Sequence, residues 1–219
     1  TSHPKAAAQA WLGPDVGSLA DCALASPDKI RSKQLPLEPL SAADMSNPDT
    51  LKKFLMDNIR RFPSEHIALA ITGHGAAFQG QAITRGPEGR AALSNEAIAS
   101  VLNQVAEETG QKVDVVNLNT CYSANLESLY ALKDATQAIV ASEDALAVGT
   151  QPFSEVIREV QNRQSAGQSV DARHLAKIFV NKSQEQPLHQ LHTPTLTALD
   201  APKLAQVGES LANFQELCL

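Results

Sequence analysis

Short apolar runs of strand length alternate along this chain with longer segments in which apolar residues recur at helical spacing. The apolar runs predict strands at 67–72, 113–118, 137–141 and 195–199. The helical segments predict helices that begin at Asn47-Pro48, at Ser94, soon after Cys121, at Pro152, at Asp171 and at Pro202. Strands that alternate with amphipathic helices are typical of a mainly parallel sheet with helices on both faces.

Two parts of the chain lack such a pattern. Residues 1–46 show no sustained period and contain five prolines, so we expect an extended or loop-rich segment. We therefore divide the chain into an irregular N-terminal segment, 1–44, and one folded domain, 45–219. The second part, 75–92, carries several glycines and a proline and predicts a long, exposed and mobile loop.

Composition and charge exclude several classes of function. The net charge is −6 and no basic cluster exceeds two adjacent residues, so we expect no nucleic-acid partner. No apolar run approaches the ~18–20 residues that a bilayer span requires, and the first residues carry no signal-peptide pattern. The three cysteines form no Cys-x-x-Cys pair, which argues against a disulfide framework or a zinc site; they are Cys22, Cys121 and Cys218.

Two of the predicted strands end in residues that carry chemistry. The strand 67–72 runs into Gly73-His74-Gly75, and the strand 113–118 runs into Asn119-Thr120-Cys121. Ligands of parallel sheets bind at the carboxyl ends of the strands, so neighbouring strands would place an imidazole beside a thiol. An imidazole supports the nucleophilic thiolate and can later protonate a leaving amine. The N–H groups of Gly75 and Cys121 could hold an oxyanion. A thiol, an imidazole and an oxyanion site together predict a cysteine peptidase.

A plainer interpretation stays open on spacing alone, namely a buried cysteine at a strand end and a histidine in a turn. Other polar residues have structural explanations: His66 enters a strand, His174 lies on a helix face and Asp171 caps a helix. His189 and His192 lack companion ligands, and we expect neither a metal nor another cofactor.

Several segments in the same order resemble the clostripain-like cysteine peptidases, relatives of caspases, legumain, gingipains and separase. The two apolar blocks that end in His74-Gly75 and in Cys121 are similar to the family's catalytic blocks. Further segments similar to the family in order and spacing are 46–54, Phe62-Pro63, 121–130, 139–143 and 195–200, and the resemblance covers roughly residues 40–215.

The resemblance implies a caspase-like α/β/α sandwich with a mainly parallel central sheet. It implies a cysteine endopeptidase that works through an acyl-enzyme with Cys121 as nucleophile and His74 as proton carrier, without a third catalytic side chain. An unrelated doubly wound fold, flavodoxin-like or Rossmann-like, is the alternative for the architecture. A catalytically inactive binding module with the same fold is the alternative for the function.

The specificity pocket departs from the family pattern at two positions. Family members commonly carry an Asp where this chain has Asn119, at the floor of a pocket that selects Arg or Lys. A second acidic position of the family aligns near Gly149, and both changes remove negative charge that would pair with a basic side chain. Ser142 and Glu143 resemble the strand that borders this pocket, and Glu143 or Asp144 could compensate. We expect weak or absent preference for Arg or Lys before the scissile bond.

Residues 1–40 do not resemble the strand and helix with which relatives begin, so this segment has diverged or the missing strand lies on another chain. The expected partners are a protein or peptide substrate and a second chain or pro-segment that completes or covers the site. The resemblance slightly favours a secreted or extracytoplasmic location. Relatives commonly mature by self-cleavage between the catalytic residues. Arg85 and Arg90 suit the altered pocket poorly, so we expect cleavage in 75–92 by another protease or none.

Overall fold

The structure is a computed structural model that describes residues 11–12, 37–38, 44–86, 89–146, 151–186 and 195–217. Its strands are β1 (Trp11–Leu12), β2 (Leu37–Glu38), β3 (Ala68–Thr72), β4 (Gln81–Gly86), β5 (Gly89–Leu93), β6 (Val115–Asn119), β7 (Ala138–Ser142) and β8 (Leu196–Asp200). Its α-helices are α1 (Pro48–Arg61), α2 (Asn95–Thr109), α3 (Leu126–Ala131), α4 (Phe153–Ser165), α5 (Ala172–Gln184) and α6 (Leu204–Leu217). Single 3₁₀ turns cover Ala77–Gln79 and Ala201–Lys203.

The helix boundaries follow from capping residues that the sequence supplies. Side chains of Asn47, Ser94 and Asp171 accept hydrogen bonds from the first free backbone N–H groups of α1, α2 and α5. The bond from the His174 N–H holds the pKa of the Asp171 carboxyl below its usual value. Gly110 ends α2 in the left-handed conformation, at φ 71°. The predicted caps and this stop are confirmed.

The central sheet has the strand order β3-β6-β7-β8. The pairs β3–β6 and β6–β7 are parallel, whereas β7–β8 is antiparallel. The predicted mainly parallel sheet is therefore confirmed.

Helices cover both faces of this sheet, as predicted. One face packs against α1, α2, α3 and α6, and its fully buried side chains include Leu118, Ile139 and Ile98. The other face packs against α4 and α5. Complete burial of one such aliphatic side chain contributes about 1.5–3 kcal/mol relative to exposure. The two apolar layers thus hold the strands in place and fix where their carboxyl ends emerge.

The prediction that 75–92 forms a long loop was wrong, whereas its predicted mobility stays a prediction. Strands β4 and β5 pair as an antiparallel hairpin, and its register places Arg85 opposite Arg90. The short strands β1 and β2 likewise pair with each other, while most of the predicted irregular segment, 1–44, lies outside the described residues. None of the described helices is long and apolar enough to cross a bilayer.

Candidate active site

The register of β3 and β6 brings the segments that carry His74 and Cys121 to the same end of the sheet. Thr72 lies opposite Asn119, the last residue of β6. The Gly73 N–H donates to the Asn119 carbonyl over 3.4 Å, so the pairing continues one residue beyond the ladder. The segments that follow, with His74 on one side and Cys121 on the other, leave the sheet at the same point.

Gly75 lies directly against the backbone of Cys121. A Cβ atom placed on Gly75 would fall 2.1 Å from the Cys121 carbonyl oxygen and 3.1 Å from the Cys121 nitrogen. Real carbon and oxygen atoms do not approach so closely, so only glycine fits here. The close approach fixes the segment that carries His74 next to the segment that carries Cys121.

The two side chains differ in exposure and in contacts. His74 is exposed, whereas Cys121 is half-buried and is a free cysteine. The Cys121 Sγ accepts from the Leu146 N–H at 3.4 Å and lies 3.8 Å from the Leu146 carbonyl oxygen. Within the part of the chain that the structure describes, no hydrogen bond joins the imidazole to the thiol. The predicted catalytic roles of His74 and Cys121 remain predictions.

The turn after Cys121 is strained and held by backbone hydrogen bonds. Tyr122 has φ 55°, a left-handed conformation that is uncommon for a residue other than glycine. Its N–H donates to the Asp144 carbonyl over 3.2 Å, and the Ala124 N–H donates to the Ser142 carbonyl over 2.9 Å. Strained residues of this kind persist only where the surroundings enforce them, and they are frequent at functional sites.

The predicted pocket residues lie around this turn in different environments. The Asn119 side chain is half-buried and donates to the Thr72 hydroxyl over 3.3 Å. Glu143 and Asp144 are exposed, and an Asp144 carboxylate oxygen accepts from the Ala145 N–H over 2.6 Å. Gly149 lies outside the described residues.

Ser142 is fully buried at the end of β7. Its hydroxyl lies 3.3 Å from that of Thr195, and its N–H donates to the Ser123 hydroxyl over 3.2 Å. Its contacts therefore hold the turn that follows Cys121 against the neighbouring strand. Whether Ser142 also borders a substrate pocket remains a prediction.

Two contacts of the site were missed by the sequence interpretation. One is the Leu146 backbone on the Cys121 thiol, which no residue type can signal because a main-chain group makes it. The other is a buried chain of polar side chains beside Cys121, formed by Gln81, Asn95, Thr120 and Ser128. These polar residues stand beside apolar segments in the sequence, which was the available signal for a buried polar cluster. Only the fold shows that they contact one another.

Other polar features lie away from this edge. A cavity of about 300 Å³ between α5 and β8 is lined in part by Ala138, the first residue of β7, and by Arg173, which forms an ion pair with Asp200. It is therefore at the opposite end of the sheet from Cys121. His66 lies 3.5 Å from the Asp114 carboxylate, also at that end. His189 and His192 lie outside the described residues, as do Cys22 and Cys218.

Comparison with known families decides the relationship of the chain. The model of the clostripain family matches residues 26–217, most of the sequence. The chain belongs to the clostripain family. The predicted resemblance to this family of cysteine peptidases is thereby confirmed, as is the caspase-like fold class. A search of curated proteins gave no match.

Solved structures of clostripain-family proteases share the fold at low sequence identity. An inactive zymogen C11 protease from Parabacteroides distasonis matches with a TM-score of 0.55 at 15% identity, over 78% of this chain and 44% of its own. A secreted C11 cysteine protease from Bacteroides thetaiotaomicron, in complex with an irreversible peptide inhibitor, gives a TM-score of 0.58 at 11% identity, over 78% of this chain and 51% of its own. A structure of the protease iotapain from the same organism gives a TM-score of 0.52 at 18% identity, over 78% of this chain and 49% of its own. This clostripain-family chain thus spans about half the length of the structures that it matches.

Proposed function

We propose that this chain is a cysteine endopeptidase that hydrolyses peptide bonds through an acyl-enzyme on Cys121. The observation that carries the proposal is the contact between Gly75 and Cys121, which would bring a Cβ on Gly75 to 2.1 Å from the Cys121 oxygen. It places the segment bearing an exposed imidazole against the segment bearing a half-buried thiol. Membership of the clostripain family supports the same reaction class.

In this proposal His74 takes the proton of the Cys121 thiol, and the thiolate attacks the scissile carbonyl carbon. The carbon–sulfur bond forms while the carbonyl oxygen gains negative charge, which the N–H groups of Gly75 and Cys121 stabilise. The carbon–nitrogen bond then breaks as the His74 imidazolium gives its proton to the leaving amine. Water, deprotonated by His74, attacks the thioester, releases the acid and restores the thiol.

For specificity, we propose a weak preference for Arg or Lys before the scissile bond. The neutral Asn119 side chain, tied to Thr72, would give a guanidinium no charge partner. Asp144 is exposed and its carboxylate is engaged by the adjacent N–H of Ala145, which supports a solvent-facing role. A protein or peptide with a neutral residue at this position is the substrate class we favour.

The proposal extends to partners and location. A second chain or a pro-segment would complete or cover the site, and a similar structure is described as that of an inactive zymogen. A secreted or extracytoplasmic location is proposed because another similar protease is described as secreted.

A second candidate is a catalytically inactive binding module with the same fold. It is favoured by one observation: the Cys121 thiol contacts the Leu146 backbone, and within the described residues no hydrogen bond joins it to His74. Catalytic hydrogen bonds are often long before substrate binds, so we favour the active peptidase over the inactive module.

A fluorogenic peptide library of mixed sequence separates the two candidates. Wild type and a Cys22→Ser control should cleave the same peptides, and Cys121→Ser should lose about 10³-fold or more in rate, as removal of a catalytic nucleophile does. A folded wild-type protein that cleaves no peptide of the library would favour the inactive module. Cleavage that survives in Cys121→Ser would mean that another residue carries the activity.

A further inference from the structure

Four polar side chains are buried beside the candidate active site. Gln81, Asn95, Thr120 and Ser128 are each at most 1% exposed. A polar group removed from water destabilises the fold unless it is hydrogen-bonded, so such a cluster persists only if its members satisfy one another.

These side chains form one continuous series of hydrogen bonds. The Thr120 hydroxyl donates to Gln81 Oε1 over 2.5 Å, and Gln81 Nε2 donates to Asn95 Oδ1 over 3.1 Å. Asn95 Nδ2 then donates to the Ser128 hydroxyl over 2.9 Å. Each side chain acts as the acceptor for one neighbour or the donor to the next, so the series has a single direction.

The far end of the series holds the turn that follows His74. The Ser128 hydroxyl donates to the Ala77 carbonyl over 3.3 Å, and Asn95 Nδ2 also donates to the Phe78 carbonyl over 3.2 Å. Ala77 has φ 52°, a strained conformation that these contacts help to enforce. The turn is therefore fixed by side chains from two helices, α2 and α3.

The same series includes residues before and after Cys121, the candidate nucleophile. It also contacts the segment that carries His74, the candidate base. Thr120 directly precedes Cys121, and Ser128 belongs to the helix that begins soon after it. Gln81 opens β4, and in that strand the Ile83 N–H donates to the His74 carbonyl over 3.1 Å. A displacement at Gln81 would thus move the His74 segment relative to Cys121.

We propose that Gln81 and Thr120 are positioning residues that set the separation of His74 and Cys121. They act through the backbone on either side and touch neither substrate nor the reacting atoms. The inference rests on the proposed peptidase function for its rate readout, but the reactivity of the thiol tests it separately. A merely structural role predicts that catalysis follows stability, whereas a positioning role predicts that the two separate.

The test compares Thr120→Val, which keeps the shape and removes the hydroxyl, with Thr120→Ser, which keeps the hydroxyl. A third variant, Ile98→Val, removes one buried methyl group from the apolar layer and none of the hydrogen bonds of the series, so it lowers stability by a different mechanism. Measured quantities are Tm, kcat and KM for a peptide that wild type cleaves, and the rate of Cys121 alkylation by iodoacetamide relative to the same variant with His74→Ala.

We expect Thr120→Val to lower kcat about tenfold or more with KM changed less than about threefold, since small misplacements of reacting groups are costly. Thr120→Ser should stay close to wild type. Ile98→Val should lower Tm without lowering kcat, and the His74-dependent part of the alkylation rate should fall in Thr120→Val but not in Ile98→Val.

A fall of kcat in Ile98→Val that matches the fall in Thr120→Val at a similar loss of Tm would overturn the proposal, and so would an unchanged kcat in Thr120→Val. If wild type cleaves no peptide, the proposed function fails while the alkylation comparison still decides positioning: an unchanged His74-dependent rate rejects it. If Thr120→Val does not fold, Gln81→Met removes the same hydrogen bond from the other side and is judged by the same measurements.

Discussion

The thiol of Cys121 accepts a hydrogen bond from the backbone N–H of Leu146 at 3.4 Å. Leu146 belongs to the segment that follows β7, while Cys121 follows β6, so the contact joins the ends of two adjacent strands. This N–H therefore orients the sulfur toward the segment that follows β7 and helps to set its position at the candidate site.

Removal of that N–H should leave the Cys121 sulfur less well positioned and slow its attack on a substrate. We expect Leu146→Pro to lower kcat/KM about tenfold for a peptide that wild type cleaves, the equivalent of roughly 1.4 kcal/mol. Leu146→Ala is the matched control, because it keeps the N–H while removing the side chain that packs against the second apolar layer. Equal kcat/KM values in the two variants would show that the contact does not position the thiol.

Gly75 should tolerate no side chain. In Gly75→Ala the new Cβ meets the Cys121 carbonyl oxygen, a backbone atom, so the two segments must separate. We expect kcat/KM to fall about 100-fold, because a displacement of about 1 Å at an active site has an effect of this size. Gly110→Ala is the control: it also loses a glycine, yet a Cβ there meets nothing within 4 Å. Equal activity losses in both variants would indicate general destabilisation.

The fold and the site were predictable from the sequence to different degrees. Local chemistry at Asn47, Ser94 and Asp171 predicts helix starts because a cap depends on only a few neighbouring residues. The parallel strands β3 and β6 were predictable because each is an apolar run of the right length. Their pairing then brings the segment that carries His74 next to the segment that carries Cys121.

What the sequence did not predict depends on distant partners. The strands β4 and β5 have a short, weakly apolar pattern and, among the described strands, pair only with each other. The glycines and the proline of this segment therefore favoured a loop in the prediction. The antiparallel direction of β8 is set by the connection through α4 and α5. The apolar residues of α6 have a regular spacing, yet Leu211 is 50% exposed and Phe214 is 65% exposed, since spacing does not state what packs opposite.

Restoring the family acid should change the substrate preference. We expect Asn119→Asp to raise the ratio of kcat/KM for cleavage after Arg to that after a neutral residue by about tenfold or more, because a buried carboxylate pairs with a guanidinium. Glu143→Gln is the control, because it removes an exposed acid directly after β7. It should leave the wild-type ratio of the two kcat/KM values unchanged. A wild type that already prefers Arg by orders of magnitude would mean that another acid selects basic residues.

The hairpin should resist self-cleavage. Arg85 and Arg90 lie opposite each other in the paired strands β4 and β5, and a protease binds its substrate as an unpaired extended segment. Incubation of wild type beside Cys121→Ala, followed by N-terminal sequencing, should give no new terminus after either arginine. A Cys121-dependent cut after Arg85 or Arg90 would contradict both this expectation and the specificity proposal.

The most direct test of the central claim is covalent labelling of the native protein by a peptidyl electrophile with a neutral residue next to the reactive group. Intact mass and peptide mapping should show one equivalent on Cys121, no labelling in Cys121→Ala, and a rate about 100-fold lower in His74→Ala, as expected for loss of a proton-transfer group. Labelling of Cys22 and Cys218 as fast as Cys121, or a rate that does not depend on His74, would contradict the account.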